Sequence, residues 1–260
     1  MADVEYTPMP MVDKRIEAVM NAARLVQAAA FPDCCYQIAE AMSGALEALG
    51  IPAYAQACDV YGWNNDFIRY KKNDHIKIEK HNQSLKKKKK NTRHPQRKSS
   101  KPRPIKQIDP YTLAIYHEQV VQGTGYDGHV ICIADGLILD ATAQQFHRPH
   151  KNLNSSHFNI IPLQAFDNPP DEFKQVWCET KFMVETSFEQ GLVAITQESK
   201  TDGQFAYCLR PDIEPDNWLD FTPTARTNIP VCQNWILDIA QKTLDGIGEF
   251  DINELHEKYG

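Results

Sequence analysis

The chain has 260 residues, 42% hydrophobic and 10% aromatic, enough to bury a sizeable core and to exclude wholesale disorder. Twelve glycines and sixteen prolines are too few for a collagenous or low-complexity chain. Mean hydropathy is −0.50, no apolar run approaches the roughly 18–20 residues of a membrane span, and Met1–Pro10, with Asp3 and Glu5, lacks the basic-then-apolar order of a signal peptide. The expectation is a cytoplasmic protein with no membrane partner.

Helical spacing of Met11, Ile16, Val19, Met20, Ala23 and Val26 predicts a helix over 11–30. Pro32-Asp33 interrupts it, and a second helix starts near Cys34 or Cys35, with Asp33 as its expected N-cap. Ile38, Ala39, Met42, Ala45, Leu46 and Leu49 carry its apolar face, Gly50 ends it in a left-handed conformation, and Pro52 forbids continuation. Residues 53–61 (AYAQACDVY) alternate as a strand does.

The net charge of −6 conceals a segregation. From Arg69 to Lys106 there are sixteen Lys/Arg against two acids, a net +14, which leaves −20 on the remainder. The stretch from Lys86 to Arg103 has no aromatic residue, so it cannot offset its own ordering entropy and reads as a basic insertion, disordered over about 71–108. Its charge suits a polyanion such as nucleic acid, or a nuclear address; a plain solvated loop is the simpler use.

Residues 111–121 are ambiguous, and 123–128 form a turn-rich loop. His129–Ala134 and Leu137–Asp140 predict two short strands around Asp135-Gly136, a dipeptide suited to a type I′ hairpin turn. That turn pairs 131 with 140 and 133 with 138, which leaves His129 and Asp140 a diagonal step apart. Further on, 171–177 reads as helix, 191–197 and 204–209 as strands, and about 232–244 as a final helix. The pattern is α+β: a core over 1–162, interrupted by the insertion, with residues 163–260 as a C-terminal α/β extension packed on it.

Seven cysteines (34, 35, 58, 132, 178, 208, 232) show no CxxC spacing, and most should be buried reduced thiols. Cys35, His129 and Asp140 form a chemically suggestive set. A cysteine opening a helix meets unpaired N–H groups and the positive end of the dipole. An imidazole beside it can take and return a proton, and a carboxylate on the far ring nitrogen fixes tautomer and orientation. Read singly, each has a plainer use: Cys35 as a core thiol, His129 as a strand cap, Asp140 as a turn residue bonding Thr142.

Cys35-(x)3-Ala39 followed by Ala45-Leu46-Glu47-Ala48-Leu49-Gly50-Ile51-Pro52-Ala53 resembles the nucleophile helix of transglutaminase-like, papain-related cysteine enzymes. Gly128-His129-Val130 and Leu139-Asp140-Ala141-Thr142, continued by Gln144-Gln145-Phe146, resemble the second half of their site. The resemblance covers about 31–62 and 123–147. It implies a papain-like, transglutaminase-like core and a Cys35-His129-Asp140 triad. The implied chemistry is that of a thiol hydrolase or acyltransferase, working through an acyl-thioester on a protein or peptide amide, with no cofactor and no metal. Gln27 is a candidate oxyanion donor besides the Cys35 backbone N–H, and Trp63 and Tyr126 are candidate walls of the substrate groove. His117, His147, His150 and His157 read as surface or loop residues. The competing class is a non-catalytic binding protein on the same fold, using Lys86–Arg103 for nucleic acid or an acidic partner.

Overall fold

The computed structural model describes residues 11–30, 35–70, 80, 83, 109–115, 128–155, 160–164, 192–196, 203–213 and 223–247. The expectations for Asp33, Cys34, Lys86–Arg103, His117, Tyr126, His157, Cys178 and the 171–177 helix lie outside those residues. Among the described residues no helix is long and apolar enough to cross a membrane.

The molecule is α+β, with a helical layer on an antiparallel sheet that curls towards a barrel. Helix α1 (Lys14–Ala30) is capped by Asp13, whose carboxylate accepts from the Arg15 N–H at 2.8 Å. Helix α2 (Cys35–Ala48) ends at Gly50, φ 78°, where Ile51 N–H bonds Leu46 O and Gly50 N–H bonds Glu47 O, both at 2.9 Å. That is a Schellman closure, and glycine adopts its left-handed step without a Cβ clash. The chain then enters strand β1 (Ala53–Trp63), continues through the short helix α3 (Asn65–Arg69), and returns as β2 (Thr112–Ile115), β3 (His129–Ala134) and β4 (Leu137–Leu139). Strands β5 (Ile160–Pro162), β6 (Val193–Ile195), β7 (Gln204–Leu209) and helix α4 (Pro223–Leu244) follow.

The sheet order is β5-β4-β3-β1-β7-β6, with β2 also on β1. A bridge between Gln164 and Val193 joins its two ends. Alternation sorts side chains to two cores. Cys132 and Ala134 of β3 join Ile16, Val19, Met42, Leu46, Trp235 and Ile236 beneath the helices. Ile131, Ile133, Cys58 and Val60 instead face inwards with Phe146, Phe205 and Tyr207. Gly62 of β1 is obligatory for that inner packing, because a Cβ there would lie 2.7 Å from the Phe205 ring.

Three sequence expectations need correction. Residues 203–244 do not lie on a finished core: β7 pairs with β1 inside the sheet, and Cys232, Trp235 and Ile239 of α4 complete the helical core. Helix α4 starts nine residues before position 232 and runs through Pro230. That proline is exposed, so its ring and its missing N–H are accommodated at the surface of the helix. Pro162 lies within β5, which pairs with β4 on one side and holds only the single 164–193 bridge at its other end, a position that tolerates a missing donor.

Both flanks of the basic segment are tied down. Fully buried Asn64 donates through Nδ2 to Asp109 O (2.9 Å) and Lys151 O (2.6 Å) and accepts through Oδ1 from Phe67 N (2.9 Å) and Tyr111 N (3.1 Å). The Asp109 N–H adds a bond to the Asp66 carboxylate at 3.1 Å. All four valences of one carboxamide are used, so Asn64→Ala should lower the unfolding free energy by about 3 kcal/mol with an unchanged urea m-value. A loss below about 0.5 kcal/mol in urea titrations would contradict this role.

Candidate active site

The Asp135-Gly136 turn sets the site. Its residues take φ 50° and 69°, as a type I′ hairpin requires. The register is then Ile133 opposite Ile138 and Cys132 opposite Leu139, as the sequence predicts. Extended by one residue, it puts Asp140 on the inner face with Ile131, diagonal to His129. His129 is wholly buried, and its Nε2 lies 3.0 Å from Asp140 Oδ2. On the other side, β1 sets Cys58 directly opposite His129.

Asp140 is 1% exposed, and four donors converge on its carboxylate. Oδ2 accepts from His129 and, at 2.8 Å, from the Tyr207 hydroxyl of β7. Oδ1 accepts from the Thr142 backbone N–H at 2.9 Å and its hydroxyl at 3.0 Å. Only the ionised carboxylate offers acceptors for all four. Burial opposes that charge, but the His129 charge and hydrogen bond, with Tyr207 and Thr142, hold the Asp140 carboxyl below its ordinary range. Tyr207 moves the other way: burial, then the Asp140 charge, push its phenol well above 10.

His129 feels opposing forces. Burial alone would lower its pKa, but the charge and hydrogen bond of Asp140, followed by a side-chain hydrogen bond with Cys35, raise it to about 10. Cys35, at the first residue of α2, is a free, partly exposed thiol packed beside Tyr36, Ala39 and Val130. The helix start thus reaches His129 where β3 begins. Phe146 sets its ring edge-on to the imidazole, at 4.8 Å between centroids and 76° between planes. Gln145, in the 3-10 turn Ala143–Phe146, places Nε2 2.7 Å from His129 Nδ1.

Sequence reasoning named Cys35, His129 and Asp140, and the structure brings these three together. It does not bring Gln27 to them. That side chain is buried on α1, its Oε1 has no partner, and among the described residues it bonds none of the three. Nor does Trp63 line a groove: it is fully buried with Tyr61, Ile68 and Ala206, five residues along β1 from Cys58, roughly 17 Å away. Tyr207 and Gln145 had no assigned role. Tyr207 is 67 residues from Asp140, and only the β1–β7 pairing reveals its position. Cys58, Cys132, Cys208 and Cys232 are fully buried free thiols; burial pushes Cys58 well above 9. His147 is half-buried and His150 exposed, and among the described residues no cluster of three potential metal ligands occurs.

Comparison with family models, with curated proteins and with solved structures finds no match.

The site titrates in a defined sense. A raised His129 contributes stability fully below its unfolded value near 6.5, and loses it as pH rises through the folded value of about 10. A lowered Asp140 contributes above its unfolded value near 3.9 and loses it as pH falls through the folded one. The stability gap between the native protein and Asp140→Asn should therefore be widest, about 3–5 kcal/mol, between roughly pH 4 and 6.5. It should narrow towards pH 10. Urea melts across that range check it, and a gap independent of pH would be inconsistent with a charged pair.

Proposed function

We propose that the protein is a cysteine-dependent acyl hydrolase of papain-like, transglutaminase-like type, with Cys35 as nucleophile, His129 as acid and base, and Asp140 as the group that orients the imidazole. The observation that carries this reading is the sharing of one imidazole: Asp140 holds Nε2 at 3.0 Å, while Cys35, at the first residue of a helix, bonds the same ring.

The reaction follows from that sharing. Cys35 passes its proton to Nδ1, and the sulfur attacks an amide carbonyl carbon. The carbonyl π pair moves onto oxygen, where the Cys35 backbone N–H is the default donor. On collapse the C–N bond breaks, and the Nδ1 proton goes to the leaving amine, which gives a thioester. Water, deprotonated by His129, then cleaves the C–S bond and restores the thiol. Asp140 keeps its charge throughout and stabilises the imidazolium in each half-reaction. The substrate class is a peptide or glutamine amide; transfer to an amine differs only in the final acceptor.

A thiol-directed acylating probe should label the native protein at Cys35. Cys35→Ala, with Cys34 retained, should abolish that labelling, and His129→Ala should slow it by at least about a hundredfold at neutral pH. Mass spectrometry of the labelled peptide gives the readout. Undiminished labelling of the Cys35→Ala protein would overturn the assignment.

A further inference from the structure

The ring nitrogen that must exchange a proton with Cys35 already has a second partner. Asp140 draws the imidazole proton to Nε2, which leaves Nδ1 bare, and Gln145 points Nε2 at it from 2.7 Å. Nitrogen facing nitrogen at that distance is a hydrogen bond only if the carboxamide donates and Nδ1 accepts. The contact is held from both sides. Phe146, next in the chain, is fully buried against the imidazole, and Arg148 Nη1 donates to Gln145 O at 2.8 Å. With Gln145 in place, His129 has no solvent-exposed surface, whereas Cys35 is partly exposed.

We propose that Gln145 is a positioning residue that latches the general base: its carboxamide N–H occupies His129 Nδ1 in the resting protein and must turn aside before Cys35 can give up its proton. This rests on the reading of Cys35, His129 and Asp140 as a triad. When the thiol proton arrives at Nδ1, two donors would face each other, so the carboxamide and the protonated ring exclude one another. The groups that face the imidazole from the elements around it are Asp140 after β4, Tyr207 of β7, Cys35 of α2 and Cys58 of β1. None of these substitutes for the latch. Asp140 and Tyr207 act at the Nε2 side, and Cys58 is a buried thiol. A substrate that offers its own acceptor to the carboxamide would release Nδ1 as it binds, which couples activation to occupancy.

The test is the alkylation rate of Cys35 by iodoacetamide from pH 5 to 9, followed by peptide mass spectrometry in Cys34→Ala protein, without any need for a known substrate. Gln145→Met keeps length and packing but has no donor. It should raise the rate near pH 6.5 about fivefold, the value of one neutral hydrogen bond of about 1 kcal/mol, and Gln145→Ala should do the same. Gln145→Asn measures the need for reach and should behave like the other two. An unchanged or slower rate in Gln145→Met overturns the latch; a slower one would mean that the carboxamide serves the charged ring instead. Asp140→Asn separates this from failure of the triad itself. If it leaves Cys35 reactivity at the level of the urea-unfolded chain and of the native protein alike, the enzyme reading falls and takes the latch with it. If Asp140→Asn slows alkylation while Gln145→Met does nothing, the triad stands and the latch alone is refuted.

Discussion

A carboxylate almost entirely removed from water is the constraint on which the rest of this structure depends. An ionised group in that position is tolerated only when its lone pairs are met by donors and its charge by a partner. Asp140 meets this condition with donors from three parts of the chain: His129 at the start of β3, Thr142 just beyond β4, and Tyr207 in β7. The β3–β4 hairpin, the turn after it and the C-terminal strand must all be in register before that charge is compensated. Folding of the sheet and assembly of the site are therefore one event.

The helical layer supplies the other half. Small residues at Ala22, Ala23, Ala41 and Ala45, all fully buried, let α1, α2 and α4 approach closely over the sheet. At Gly44 a Cβ would lie 2.6 Å from the Gln233 side chain, which leaves no room for a larger residue there unless that side chain moves. The axis of α2 is fixed by this packing and by its closure at Gly50, so Cys35 at the opposite end is aimed by the whole helix rather than by a loop. A nucleophile on a rigid element, a base on a strand and an orienting acid on the neighbouring strand form an arrangement with little freedom to drift.

Much of this was legible in the sequence because the signals were local. Asp135-Gly136 specifies one turn type, which specifies register, which places 129 and 140 on one face. Gly50 and Pro52 mark a helix end that the backbone reproduces. Even the plainer reading of Asp140, as a turn residue bonding Thr142, is true alongside its contact with His129. What escaped was non-local or depended on exposure. Nothing near Tyr207 signals a partner 67 residues earlier, and the strand that carries it lies in the middle of the sheet although the chain reaches it late. Gln27 was favoured for its closeness in sequence to Cys35, yet the helix turns it into the interior; Gln145, more than a hundred residues away, reaches the imidazole. Pro162 and Pro230 read as breakers, and each sits where a missing N–H is tolerated.

The most direct measurement of the central claim is a nitrogen-15 NMR titration of the His129 ring in native protein and in Cys35→Ala. A shared, charge-compensated imidazole should titrate well above 6.5, near pH 10, and the Nδ1 resonance should move when the sulfur is removed. A ring that titrates at or below 6.5, with the same Nδ1 shift in both proteins, would mean that Cys35 and His129 do not form one site.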